Sequence, residues 1–264
     1  MKIISLNAWG GAMYEPLSDW LAQCDADVLC LQEMTHTHGL SGWTGFADGE
    51  RSLPQRASLV DDVQRHLPDH RLFFVSCDSG PVVDAQQRPY REEFGIAMCV
   101  HKRHPVVHVE SVFVHGEYQR HTVWPHSGRP RAAFGVRLID AERNRTIAIT
   151  HLHGLRDSAG KGDSPERLAQ AQRLAELSQR VGQGADLSVV CGDLNLLPDS
   201  ETFAVLKRVG LTDLIGTADT RTSRYKKDVR HANYMLVSDV SQVIRCHAPA
   251  EPEVSDHRLV ILDV

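Results

Sequence analysis

Four apolar runs lead directly into side chains that make poor core and good ligands. Ile3-Ile4-Ser5-Leu6 ends in Asn7, and Val28-Leu29-Cys30-Leu31 ends in Gln32-Glu33. Ile147-Ala148-Ile149-Thr150 runs into His151-Leu152-His153, and Ser188-Val189-Val190-Cys191 into Gly192-Asp193-Leu194-Asn195. A fifth cluster, Ser255-Asp256-His257, stands just before the last apolar run. Amides, carboxylates and imidazoles at strand ends can converge in a crevice while the strands supply a rigid base. Residues i and i+2 of an extended segment point to one side, so Asp193 and Asn195 face one target together. Asp256 and His257, being adjacent, can reach two atoms of one bound group. Each cluster alone has a plainer reading as a turn or cap residue. Five in one chain point to a shared site.

The elements that must position these residues read as many short strands and few helices. Strand-like runs lie at 2–6, 27–31, 71–76, 94–100, 106–115, 132–139, 146–150, 187–191, 232–238, 243–247 and 258–264. Helix-like stretches lie at 15–24, 56–66, 165–181 and 200–209. The helix from Pro165 has the clearest start, with Asp163 or Ser164 as cap and proline in its first turn. Strands outnumber helices by more than two to one, which disfavours a doubly wound parallel sheet. The pattern predicts an α/β fold with a pair of mixed sheets and helices outside. Three irregular stretches, 34–53, 77–92 and 116–130, are too long for simple connectors and are expected to serve the site. No linker or repeat divides the chain, so residues 1–264 read as one domain.

Composition narrows the function classes. A 264-residue chain with 42% hydrophobic and 24% charged residues is ordinary for a soluble globular protein. A net charge of −5 disfavours a protein that lives on duplex DNA through a basic face. No apolar run approaches the ~20 residues that a bilayer span requires, and the N-terminus lacks a signal-peptide pattern. The six cysteines are scattered without a Cys-x-x-Cys pair, so buried, reduced thiols and a cytoplasmic location are expected.

The ordered set Leu6-Asn7, Gln32-Glu33, Thr150-His151-Leu152, Gly192-Asp193-Leu194-Asn195 and Ser255-Asp256-His257 resembles the endonuclease/exonuclease/phosphatase superfamily. That superfamily includes DNase I-like nucleases, abasic-site endonucleases, deadenylases, sphingomyelinases and inositol polyphosphate phosphatases. The resemblance runs from residue 3 to the C-terminus. It implies a four-layer α-β-β-α sandwich, with two mixed sheets packed face to face and the site at one end. It also implies a divalent metal on Glu33, with Asn7 and Asp256 close by. Oxygen donors without a thiolate cluster suit Mg²⁺ or Mn²⁺ rather than zinc. Asp193 would orient or deprotonate the attacking water, and Asn195 would hold that water or a phosphoryl oxygen. His151 and His257 would donate to non-bridging oxygens during in-line hydrolysis of a phosphate ester.

One position departs from the pattern. The strand before the closing motif commonly begins with Asp-Tyr in that superfamily, and the Asp orients the catalytic histidine. Here Asn233-Tyr234 stands there. An amide oxygen can accept a hydrogen bond from His257 but cannot stabilise an imidazolium by charge. A catalytically weakened metal- and phosphate-binding protein is therefore the alternative. Residues 221–231 are crowded with basic side chains, and Arg224, Lys226 and Lys227, together with Arg131, are expected to face a phosphorylated substrate, either a nucleic acid or a small phosphoester. The stretch Gly154…Gly160-Lys161-Gly162 has the wrong spacing for a nucleotide cradle and reads as a flexible loop. The pairs His36/His38 and His101/His104 read as surface histidines.

Overall fold

In the computed structural model, which describes residues 1–264, the alternation of each strand decides which layer its side chains enter. The strands in chain order are β1 (Lys2–Asn7), β2 (Val28–His36), β3 (Trp43–Ala47), β4 (Ser52–Arg56), β5 (His70–Val83), β6 (Pro89–His101), β7 (Val106–His115) and β8 (Gln119–Arg120). They continue as β9 (Arg131–Asp140), β10 (Arg145–His153), β11 (Leu187–Asp193), β12 (Thr212–Asp213), β13 (Asn233–Val237), β14 (Arg245–His247) and β15 (Val260–Asp263). The α-helices are α1 (Tyr14–Leu21), α2 (Leu59–His66), α3 (Pro165–Gly182) and α4 (Glu201–Arg208).

A nine-stranded sheet runs β14-β15-β1-β2-β6-β5-β3-β4, with β8 on β5, and a six-stranded sheet runs β12-β13-β11-β10-β9-β7. Both are mixed. β1 lies parallel to β2 and antiparallel to β15, while β10 lies parallel to β11 and antiparallel to β9. On β1 and β2, Ile3, Val28 and Cys30 enter the core shared with the six-stranded sheet, whereas Ile4, Leu6, Leu29 and Leu31 pack under α1 and α2. Helices α3 and α4 cover the other sheet. The layers are thus helix, sheet, sheet, helix, as a DNase I-like α/β sandwich requires. The parity that sends Ile3 inward also sends Ser5 and Asn7 inward, which puts the Asn7 amide between the sheets.

Helix α3 starts as its sequence directs, with Ser164 Oγ accepting from the Arg167 N–H at 3.3 Å and Pro165 in the first turn. Three expectations need correction. Residues 34–53, expected to be irregular, carry β3 and the start of β4, which pair as a hairpin. Residues 77–92 are largely strand, because β5 and β6 form one long hairpin that continues across a bulge between Ser76 and Asp78. Its polar inward positions hide the strand pattern. Asp78 is fully buried and chelated by Arg129, whose Nε and Nη2 donate at 2.7 and 2.7 Å. His104 is also no surface residue; it is buried with Nε2 2.8 Å from Asp27 Oδ1. All six cysteines are unpaired and four are buried. No helix is long and apolar enough to cross a membrane.

Candidate active site

The floor of the site is built where four inner strands end at one rim. In the six-stranded sheet, His153 is paired with Asp193 and Asp193 with Asn233, so three polar side chains form one row across β10, β11 and β13. Facing them from the nine-stranded sheet are Asn7, at the end of β1, and Glu33 on β2. Glu33 sits at a β-bulge between Gln32 and Met34 with φ of +56°. Without the extra residue, Gln32 and Glu33 would point to opposite faces. The bulge lets Gln32 stay buried while Glu33 turns into the cavity. Asn195 likewise takes a left-handed φ of +55°. Such non-glycine residues persist only where surrounding contacts hold them, and they cluster at working sites. Gly192 is needed for the close approach of β11 to β10, since a Cβ there would lie 2.1 Å from the Leu152 carbonyl oxygen.

Hydrogen bonds knit these residues into one unit. The Asn7 amide donates to Glu33 Oε1 at 3.0 Å and to Asp193 Oδ2 at 3.0 Å, while its oxygen accepts from the Trp9 N–H at 3.0 Å. Asp193 uses Oδ1 to accept the Asn195 N–H at 3.0 Å. Its Oδ2 lies 3.5 Å from His257 Nε2 and 3.9 Å from His153 Nε2. Ser255 Oγ donates to the Asn7 carbonyl at 2.6 Å, which ties the closing motif to the first strand. His257 Nδ1 donates to Asn233 Oδ1 at 2.5 Å, and its Nε2 accepts from Arg221 Nη1. That pairing describes a neutral imidazole with its proton on Nδ1. Burial first, then Arg221, Lys161 and His153, hold the His257 pKa well below the ordinary histidine value.

Charge is concentrated around a cavity of about 610 Å³ lined by Glu33, Asp193, Asn195, Asp256, His153 and His257, with aromatic and cationic side chains beyond. Burial raises the Asp256 pKa to about 7; Glu33 and Asp193 push it the same way, while Arg221, donating at 2.9 Å, and the Ser255 hydroxyl oppose them. The carboxylates of Glu33, Asp193 and Asp256 are hard oxygen donors that fit Mg²⁺ or Mn²⁺, and the Asn7 amide, which here presents its N–H groups to Glu33 and Asp193, would join them by turning its oxygen inward. As placed, no three His, Cys, Asp or Glu side chains share one ligating point; the Asn7 amide donates to Glu33 and Asp193, and Arg221 donates to Asp256.

The sequence-predicted residues divide cleanly. Asn7, Glu33, Asp193, Asn195, Asn233, Asp256 and His257 come together at this floor. His151 does not line the cavity. It points the same way as His153 but lies one pair of residues deeper, fully buried, with Nδ1 3.5 Å from Gln32 Nε2. Burial takes its pKa down to about 3. Arg131 and Lys227 line the cavity, whereas Arg224 and Lys226 do not. Arg224 is exposed 3.9 Å from Glu253, and Lys226 donates to the Ser223 carbonyl. Sequence reasoning placed His153 in a cluster but gave the role to His151, set Lys161 aside in a loop, missed Arg156 and did not single out Arg221. Lys161 comes from the 154–162 loop, which is not free: buried Arg167 donates to the carbonyls of Gly160 at 2.7 Å and Leu155 at 3.3 Å. Burial lowers the Lys161 pKa to about 8 despite the nearby Asp193.

The endonuclease/exonuclease/phosphatase family model matches residues 4–257. The chain belongs to this family. A Caenorhabditis elegans protein described as a neutral sphingomyelinase is 31% identical over 117 residues, which is 42% of this chain and 26% of that protein. The chain therefore spans about a quarter of that relative's length. Among solved structures, the mannosyl-6-phosphatase of Bacteroides thetaiotaomicron superposes with a TM-score of 0.68 at 14% identity, covering 100% of this chain and 98% of that one. The human nocturnin catalytic domain, bound to sulfate, gives 0.62 at 18% identity over 99% of this chain and 92% of its own. These likenesses fix the family fold.

Proposed function

We propose that this chain hydrolyses phosphate esters by in-line attack of water on phosphorus, with Mg²⁺ or Mn²⁺ held by Glu33, Asn7 and Asp256. The observation that carries this reading is the single hydrogen-bonded unit of Asn7, Glu33 and Asp193 facing Asp256 and His257 at the cavity floor. When bound, the ion would neutralise phosphoryl charge and favour the leaving alkoxide. Asp193 is held by two donors, so its free lone pairs can orient a water and take its proton. Asn195 holds that water or a phosphoryl oxygen. Arg221 and Lys161 supply positive charge to the non-bridging oxygens. His257 joins them once it is protonated. Buried His151 serves as packing for Gln32, and His153 takes the place at the cavity expected of it.

A concave cavity of about 610 Å³ favours a small phosphorylated compound over a duplex. A phosphomonoester, as in the name of the bacterial neighbour, and a phosphodiester both remain within this reading. A cytoplasmic location belongs to it as well, supported by six unpaired cysteines. The test is hydrolysis of bis-p-nitrophenyl phosphate and p-nitrophenyl phosphate with Mg²⁺ or Mn²⁺, followed by a screen of nucleotides, sugar phosphates and lipid head groups. Metal-dependent release that EDTA abolishes is the expected result; no turnover on any ester overturns the reading. One observation favours the alternative of a weakened, binding-only protein. Asn233 leaves its Nδ2 buried without a partner, and Arg221 occupies the histidine nitrogen that would face the phosphate.

A further inference from the structure

Most cations on the cavity are already spent. Arg129 is chelated by Asp78, Arg221 donates to Asp256, and Lys161 donates to the His231 carbonyl. Two guanidinium groups are not. Arg131 is only 4% exposed, yet no carboxylate lies within salt-bridge distance, and its one protein bond is Nε to the Gly154 carbonyl at 3.1 Å. Both of its Nη atoms are without an acceptor. Arg156, half-buried on the same cavity, makes no side-chain hydrogen bond or ion pair. A desolvated guanidinium is costly unless a partner offsets it, and its five donors match phosphate or carboxylate oxygens.

The strand order sets Arg131 to one side of the reacting centre. Arg131 opens β9, which is two strands from β11, with β10 and His153 between. Two strand steps of about 4.8 Å place its backbone on the order of 10 Å from that of Asp193. The Gly154 carbonyl also accepts from Asn195 Nδ2 at 3.3 Å, so the guanidinium and the Asn195 amide stand on either side of one oxygen. With Arg221, Lys161 and Asn195 already facing the scissile phosphate, the free N–H donors of Arg131 and Arg156 exceed what that one group can accept. We propose that Arg131 and Arg156 form a second anion site, and that the substrate is a compact phosphoester carrying a second phosphate or carboxylate beside the scissile group. This inference rests on the phosphoesterase reading and deepens it.

Two measurements keep the two readings apart. In EDTA, calorimetric titration of the metal-free protein with sulfate reads the anion site without turnover. Arg131→Gln and Arg156→Gln should each weaken sulfate about tenfold, as expected for losing a charge-assisted partner; unchanged affinity in both overturns the proposal. Because Arg131 is buried, a thermal melt accompanies each variant, and Arg156→Gln decides if Arg131→Gln does not fold. With Mg²⁺, hexane-1,6-diyl bisphosphate is compared with hexyl phosphate. The parent should prefer the bisphosphate by about tenfold in kcat/KM, and either variant should erase most of that preference. An equal loss on both esters would assign Arg131 to the scissile phosphate and overturn the second site. Sulfate binding that depends on Arg131 without hydrolysis of any ester would leave the site standing and remove the phosphoesterase reading instead.

Discussion

Two buried arginine–carboxylate pairs in this molecule look alike in sequence and do opposite work. Arg129 and Asp78 close on each other at 2.7 and 2.7 Å, and the guanidinium lies against the Phe94 and Trp124 rings, 4.2 and 4.3 Å from their centroids. Asp78 Oδ2 also meets His121 Nε2 at 3.0 Å, so the carboxylate has no unmet demand. Arg221 and Asp256 share one bond of 2.9 Å, and the same Nη1 also serves His257. Asp256 remains partly open to the cavity and is repelled by Glu33 and Asp193. Saturated geometry locks the β5–β6 hairpin; unsaturated geometry leaves ionic capacity for a ligand. Burial of a salt bridge therefore says little about its role until its spare valences are counted.

The sharpest break of this comparison is at the unsaturated side. Glu33→Gln removes a charged ligand and should cut kcat/KM by about several hundredfold or more while shifting the metal titration. An unchanged metal titration would remove Glu33 from the ion. Asp193→Asn should lower kcat by about a hundredfold with metal affinity nearly intact, since its proposed work is on the water. Normal kcat at saturating metal with weakened affinity would exchange the two roles. On the saturated side, Arg129→Met leaves Asp78 buried beside only His121. It should cost about 3–5 kcal/mol in denaturant unfolding, with kcat of the folded fraction within about threefold of the parent. A large kcat loss at unchanged stability would show that the pair belongs to the reaction.

Asn233→Asp tests the neutral histidine between the two. A carboxylate at hydrogen-bond distance favours the imidazolium and should raise the His257 pKa by about 1–3 units. Since the protonated form persists to higher pH, the alkaline limb of the pH–rate profile should move upward. Imidazole nitrogen shifts by NMR read the pKa directly, and overlaying titrations would refute the pairing as a control on charge. The smallest effect is expected from Arg224→Ala with Lys226→Ala, both off the cavity: KM within about threefold of the parent and little change in salt response. A steep rise in KM would return these residues to the substrate.

How much of this was legible in the sequence follows from what spacing encodes. Polar residues at strand ends reveal themselves, so the floor residues and the Asn233–His257 contact at 2.5 Å were foreseeable. Depth along a strand is not encoded in parity. His151 and His153 share a face, and nothing in Thr150-His151-Leu152-His153 tells which one reaches the rim. The bulge at Glu33 is equally silent, because its left-handed φ has no glycine to announce it. The β5–β6 hairpin stayed hidden because Asp78 and Glu92, both fully buried, break the apolar alternation that marks a strand. Arg221 was not singled out within the 221–231 run of basic residues, of which the fold selects only some for the cavity.

The pairing of β1 with both β2 and β15 has a kinetic consequence. Ser255 reaches across 248 positions of chain to the Asn7 carbonyl, and Asp256 and His257 enter the cavity only through that closure. Contacts of such sequence separation form late, because loop closure is costly until the intervening chain has organised. A chain emerging from synthesis can assemble β1, β2 and their helices long before the last strand is available. Assembly of the complete floor would then be the final event of folding. Recovery of anion or metal binding after refolding should lag behind recovery of far-ultraviolet ellipticity, so that the site itself serves as a clock for completion of the native state.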